Sequence, residues 1–391
     1  MTATLLVSRA AQSWRTEGPG GFGKRAVKFF MRLGNPAIGE PIGAYARLSA
    51  QPRPQTFEPI EELTSDGLYG PVQKDISRVD ALLSTLRPAD FPFLANILDH
   101  VLAGGGKRAR PAVTLLAGKL GRYDLDLLVP LAASIELLHS ATLVHDDVID
   151  AAPTRRGQDT ANALIDNAAS VMVGDYMFAH SAELVARTGN IEVIRLFART
   201  LMEMATGELN QDMTAYQYGQ STLQYFNRIY GKTASLFATS AQGGGMIAGL
   251  SSEQAQALRA YGENLGMAFQ VMDDILDFTG SEAELGKPAG SDLMQGTLTL
   301  PALLLIERYP DDNPVERYFD DRDDTENLER ALEMIRGSDI LDEALSVAHD
   351  FRDKALKALE APSLVAIDTP SAALARKTLV EVAHFVTDRR S

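Results

Sequence analysis

Residues Leu137 to Asp150 read LLHSATLVHDDVID, an apolar segment that ends in three carboxylates, Asp146, Asp147 and Asp150. Leu137, Leu138, Ala141 and Val144 recur at helical spacing, which predicts a helix running into the acidic cluster. Residues four apart on a helix lie one above the other, so Asp146 and Asp150 project together with Asp147 beside them. Two like charges at about 4 Å repel by roughly 4 kcal/mol at an effective dielectric near 20. Such a cluster therefore takes up protons or holds a cation. All the ligands are hard oxygens, with neither Cys nor paired His at metal spacing, which favours Mg²⁺ over zinc.

The spacing returns in Phe269-Gln270-Val271-Met272-Asp273-Asp274-Ile275-Leu276-Asp277, again at the end of an apolar helical run. A third formal match, Asp320-Asp321-Arg322-Asp323-Asp324, follows Pro314 without a long apolar helix. It reads as a solvated loop.

Composition limits the alternatives. The 391 residues are 45% hydrophobic, enough for a large core, and the formal net charge of −15 disfavours nucleic acid as a partner. The chain has no Cys. That removes disulfides, a thiolate nucleophile and a thiolate zinc site, and it suits a reducing compartment, so a cytoplasmic location is expected. The most apolar stretch, near Leu127 to Val144, is interrupted by Glu136 and His139, so no uninterrupted run has the length of a membrane span.

Residues 1–56 differ from the rest. They are basic and rich in Gly and Pro, and are expected to form a flexible extension ahead of a domain over residues 57–391. Within the extension, GKRAVKFFMRL places Ala26, Phe29, Phe30 and Leu33 opposite Lys24, Arg25, Lys28 and Arg32. That amphipathic pattern suits peripheral membrane contact through residues 24–33. The acid-poor, Arg-bearing start also has the composition of an organelle transit peptide.

Further along, helical patterns are expected at Ser77–Leu86, Phe93–Leu102, Asp159–Ser181 and Ile191–Leu209, the last carrying Glu208, Gln211 and Asp212 at its end. Gly104-Gly105-Gly106-Lys107-Arg108-Ala109-Arg110 brings three glycines, which admit close backbone approach, to three cations, a combination suited to a diphosphate. Thr154-Arg155-Arg156-Gly157 sets two guanidiniums a few residues beyond the first acidic cluster. Gly231-Lys232-Thr233-Ala234-Ser235 is expected to open another helix; it lacks the first Gly of a P-loop, and no strand precedes it. Ser251 to Gln254 forms a capping box before the helix that carries Asp273 and stops near Gly280. No alternating pattern longer than a few residues appears, so the expected class is all-α.

In identity, order and spacing, these motifs resemble the all-trans isoprenyl diphosphate synthases, the polyprenyl synthetase family, from about residue 57 to the C-terminus. The resemblance implies a bundle of long antiparallel helices around a deep central cavity, usually a homodimer. It implies that Asp146, Asp147 and Asp150 bind Mg²⁺ bridging an allylic diphosphate, and that Asp273, Asp274 and Asp277 bind a further Mg²⁺. By the same resemblance Lys107, Arg110, His139 and Arg156 hold isopentenyl diphosphate, while Arg155, Lys232, Thr233, Gln270 and Lys287 surround the allylic diphosphate. The implied reaction joins isopentenyl diphosphate to an allylic diphosphate repeatedly. In the family an aromatic residue four or five positions before the first Asp stops the product short; here Thr142 and Ala141 stand there, implying a product longer than twenty carbons, of the quinone side-chain kind. Met172, Met177 and Phe178 are candidates for a lower stop. The chain departs from the family at Thr297, where Lys is common, and at Asp159, where Pro is common. A terpene cyclase would carry a different second metal motif. A short-chain geranylgeranyl diphosphate synthase and a non-catalytic regulatory subunit are the alternatives.

Overall fold

The computed structural model describes residues 67–86, 91–103, 107–155, 157–280 and 288–388. The expected extension, with its amphipathic segment 24–33, lies outside the described residues, as do Gly104 to Gly106, Arg156 and Lys287.

A 3₁₀ turn, Gly70–Val72, leads into α1 (Gln73–Ser84), α2 (Pro92–Ala103), α3 (Ala109–Gly118) and α4 (Leu125–Ile149). A two-residue hairpin of β1 (Thr154–Arg155) and β2 (Gln158–Asp159) precedes α5 (Ala161–Ile165), α6 (Asn167–Ala186) and α7 (Ile191–Met213). Next come α8 (Thr222–Ile229), a π turn (Tyr230–Ala234), α9 (Ser235–Ile247) and α10 (Ser252–Thr279). The rest is α11 (Ser291–Met294), α12 (Leu300–Arg308), α13 (Pro314–Asp320), α14 (Thr325–Arg336), α15 (Ile340–Leu359), α16 (Pro362–Val365) and α17 (Pro370–Asp388). The all-α class is borne out.

The central helix is α4. Its Asp124 cap accepts from the Asp126 amide, and Leu128, Leu131, Ala132, Ile135, Leu137, Leu138 and Ala141 are buried on successive turns. A helix apolar on every side belongs in a core. By length and composition alone α4 is long and apolar enough to cross a membrane, but 72% of its apolar window is buried inside the bundle. It packs along α6, α3 and α1, while α10 packs along α9 and α15. One apolar core joins α1, α3, α4, α6, α9 and α17; a second joins α8, the end of α10 and α12 to α15.

Two expectations change in detail. A single helix was expected over Asp159–Ser181, but the chain breaks at Asp166, whose φ of +93° is not helical and whose carboxylate caps the Ala169 amide of α6. The helix expected to open at Gly231 starts instead at Thr222, under a capping box of Ser221 and Gln224, and runs through the π turn into α9. The Ser251–Gln254 capping box and the stop at Gly280 are as expected. Asp320 to Asp324 link α13 to α14, with Asp324 capping Asn327, so the third acidic match is a largely exposed connection.

Candidate active site

The C-terminal ends of α4 and α10, the start of α3, the end of α7, the π turn and α17 line one cavity of about 750 Å³. Its wall includes Lys107, Arg110, His139, Asp146, Asp147, Asp150, Arg155, Lys232, Thr233, Gln270, Asp273, Asp274 and Asp277. Every expected site residue among the described ones is therefore on this wall.

The first acidic cluster divides by geometry. Asp147 is buried and its Oδ1 accepts from Arg155 Nε at 2.7 Å, so it holds the hairpin guanidinium in place. Asp146 and Asp150 lie one turn apart on the cavity face. Burial pushes Asp146 up to about 7 against the opposing pull of Lys232, with Glu208 and Asp150 raising it further. A carboxylate that burial leaves with surplus proton affinity is also one that a cation can relieve.

The second cluster divides in the same way. Asp274 is buried, and its two oxygens accept from Tyr225 Oη at 2.6 Å and Gln270 Nε2 at 2.9 Å. Burial pushes it up to about 7, with Asp292 adding to the rise. Gln270 Oε1 in turn accepts from Thr233 Oγ1 at 2.7 Å, so α8, the π turn and α10 are tied at one point. Asp277 is buried too and accepts from Ser291 Oγ at 2.8 Å and the Asp292 amide at 3.2 Å, anchoring the start of α11. Asp273 is the partly exposed member on the cavity wall.

The π turn explains how Lys232 and Thr233 both reach the cavity. An extra residue in the turn shifts the helical face, a device often found at functional sites. The turn fits only because two glycines meet: a Cβ on Gly207 of α7 would stand 2.8 Å from the Lys232 amide, and one on Gly231 would stand 2.9 Å from the Glu203 carbonyl. Glu208, one residue beyond Gly207, accepts from Lys232 Nζ at 2.9 Å.

The basic motif before α3 also sorts itself. Arg108 takes a left-handed φ of +49° and turns inward to the buried Glu136 at 2.7 Å and to Asp80 at 2.9 Å. Lys107 and Arg110 keep to the cavity wall, Lys107 5.6 Å from the centre of the Phe385 ring and Arg110 4.5 Å from that of Phe237. Such cation–ring contacts fix the heads without neutralising them.

Sequence reasoning assigned no role to Glu208, Gln211, Tyr225, Arg228 or Phe385, all of which touch the site. Arg228 had a partial signal, since it lies four residues before Lys232, a spacing that shares a face on a regular helix, but the π turn between them shifts that register. Phe385 had none, since its place depends on α17 returning across the bundle.

Among the described residues no three His, Asp or Glu side chains converge on one ion position. The donor set nevertheless suits a hard divalent cation that takes one or two carboxylates and completes its shell with water and phosphate oxygens.

The polyprenyl synthetase family model matches residues 91–335. The octaprenyl diphosphate synthase of Escherichia coli (strain K12) is 34% identical over 335 residues, 85% of this chain and 99% of its own. Component 2 of the Bacillus subtilis (strain 168) heptaprenyl diphosphate synthase is 35% identical over 82% of this chain and 90% of its own. The polyprenyl synthase from Caulobacter crescentus CB15, solved with calcium and isoprenyl diphosphate, is 37% identical, covers 85% of this chain and all of its own, and superposes with a TM-score of 0.76. With its acidic and basic motifs gathered on one cavity and these proteins matched over 90% or more of their own lengths, the chain belongs to the polyprenyl synthetase family and is a prenyltransferase.

Proposed function

We propose that this enzyme condenses isopentenyl diphosphate with an allylic diphosphate, repeatedly, to make an all-trans polyprenyl diphosphate longer than twenty carbons. The observation that carries this reading is the single cavity on which Asp146, Asp150 and Asp273 meet Lys107, Arg110, Arg155 and Lys232.

The chemistry asks for that mixture. A diphosphate leaves an allylic carbon, so negative charge grows on its oxygens while a carbocation forms. Fixed cations aimed at that charge lower the barrier because they need no reorganisation when it appears. Lys232 is held by Glu208, and Arg155 by Asp147, so both heads are set before substrate arrives. Asp146, Asp150 and Asp273 are the carboxylates on the cavity wall that would hold Mg²⁺, which would supply Lewis-acid stabilisation of the departing diphosphate. Tyr225, Gln270 and Thr233 brace Asp274 and thereby the end of α10 that presents Asp273. Lys107, Arg110 and His139 line the adjoining wall and are proposed to orient isopentenyl diphosphate so that its double bond attacks the cation. The proton released passes to the departing diphosphate, so no protein nucleophile is needed.

Chain length rests on α4. Thr142 lines the cavity one turn before Asp146, with a small side chain whose hydroxyl is turned back to the His139 carbonyl at 2.7 Å. Ala141 and, on the neighbouring α6, Met177 are fully buried, whereas Met172 is 69% exposed. Met177 is therefore the better candidate for the lower stop. The relatives named for octaprenyl and heptaprenyl products support the long-chain reading.

A homodimer is part of the proposal. Ile191, Met202, Leu209 and Met213 form one stripe along α7 and are each more than 60% exposed, an apolar face that a second copy of the chain would cover. The relative named as component 2 of a heptaprenyl diphosphate synthase supports the alternative that a second kind of subunit takes part. Sedimentation of the purified chain tests it: a dimer that Met202→Glu converts to monomer supports the stripe, and a wild-type monomer overturns it. Membrane contact through residues 24–33 stays a proposal, tested by vesicle flotation of the full chain and of a form lacking residues 1–56.

A further inference from the structure

Arg228 of α8 is a buried cation in the wall of the cavity, 5% exposed. Burying a charge costs free energy unless something compensates it. Among the described residues both of its hydrogen bonds go to neutral oxygens: one to Gln220 Oε1 at 2.8 Å and one to the Leu298 carbonyl. Those bonds use two of a guanidinium's five N–H donors, and arginine keeps its proton in proteins. Asp274, Asp292 and Glu208 act on it at longer range. Asp274, however, already spends both oxygens on Tyr225 and Gln270.

The carbonyl that Arg228 grips sits between two threonines of the cavity wall. Thr297 is where the family pattern commonly has Lys, so this wall lacks that cation. Thr299, 3% exposed, has a buried hydroxyl without a hydrogen-bond partner among the described residues. An unsatisfied buried hydroxyl one residue beyond the carbonyl that a buried guanidinium grips, on the same cavity wall, fits an anionic oxygen that neither yet has. We propose that Arg228 is a diphosphate-binding residue of this enzyme, supplying from α8 the charge that position 297 does not, with the Thr299 hydroxyl as its neighbour. This deepens the prenyl-transfer reading and rests on it, because it assigns the ligand of that same cavity.

The rival reading makes Arg228 a structural counter-ion for Asp274 and Asp292. The two are separated by titrating the full-length protein calorimetrically with inorganic diphosphate in Mg²⁺, together with thermal melts and steady-state kinetics on both substrates. Arg228→Met should bind diphosphate roughly 10- to 100-fold more weakly, as loss of a charged hydrogen bond implies. Arg228→Lys should lie between it and wild type. Adding Thr297→Lys to Arg228→Met should recover about tenfold or more, which a counter-ion role does not predict. Unchanged affinity in a folded Arg228→Met protein overturns the proposal. So does an affinity loss that tracks a lowered melting temperature and is not recovered by Thr297→Lys. If Arg228→Met does not fold, Arg228→Lys decides: wild-type affinity and wild-type KM for both diphosphates overturn the proposal, and a raised KM with an unchanged melt supports it. Wild-type protein that binds inorganic diphosphate but forms no prenyl product would sink the function while leaving Arg228 testable by binding alone.

Discussion

Asp146 carries the sharpest single-residue consequence. Replacing it with Asn keeps the volume and removes the charge, so turnover should fall by roughly 10²-fold or more, as loss of one preorganised electrostatic element does elsewhere. Near-normal kcat in Asp146→Asn, measured with both diphosphates, would contradict its role. Its titration adds a second test. Burial raises Asp146 from its ordinary value to about 7, so the folded protein binds a proton there that the unfolded chain does not. That contribution to stability is complete below the unfolded pKa and is lost as pH rises through about 7. Asp274 follows the same sign. A cation competes with the proton at Asp146. Mg²⁺ should therefore raise the melting temperature more at about pH 8 than at about pH 6. Equal gains at both values would show that this carboxylate is not where the cation acts.

At the scale of elements, the meeting of α7 with the π turn is the critical packing contact. A methyl group on Gly207 would press on the Lys232 amide and the Gly231 backbone, neither of which can swing away. Ala is the better helix former by about 1 kcal/mol, but overpacking costs about 1–3 kcal/mol, so Gly207→Ala should be destabilising on balance and should displace Lys232. Chemical denaturation with parallel assays checks this, and an equally stable, fully active variant would refute it. The π turn also marks the limit of what the sequence displayed. Helical periodicity and the Asp-Asp-x-x-Asp spacing made α4 and α10 legible, because both are local signals. The capping box at Ser251 is local too, and it was found. The π turn was not, since it exists only because Gly207 and Gly231 come together from separate helices. In the same way the spacing put Asp146, Asp147 and Asp150 in one cluster but could not show that Asp147 belongs to Arg155, or that Asp274 and Asp277 belong to Tyr225 and Ser291. Those assignments depend on tertiary partners.

Over the whole molecule, the cavity and the helices below it set the product. Ala141 is fully buried, so Tyr there would overpack the core around α4 as well as block a tail. Thr142 faces the cavity and gives the cleaner test. Thr142→Tyr should shift the main product to shorter chains while leaving the first condensation intact, read by chromatography of the dephosphorylated products. An unchanged product distribution would place the tail elsewhere. Met177→Ala should do the reverse and lengthen the product if it forms the floor, at about 2–5 kcal/mol of stability for emptying a buried site. The central claim is that one cavity performs repeated prenyl transfer, and its most direct test is to incubate the purified full-length chain with Mg²⁺, labelled isopentenyl diphosphate and farnesyl diphosphate. A ladder of products ending above twenty carbons is the result expected; no extension of the primer by a folded, diphosphate-binding protein would contradict it.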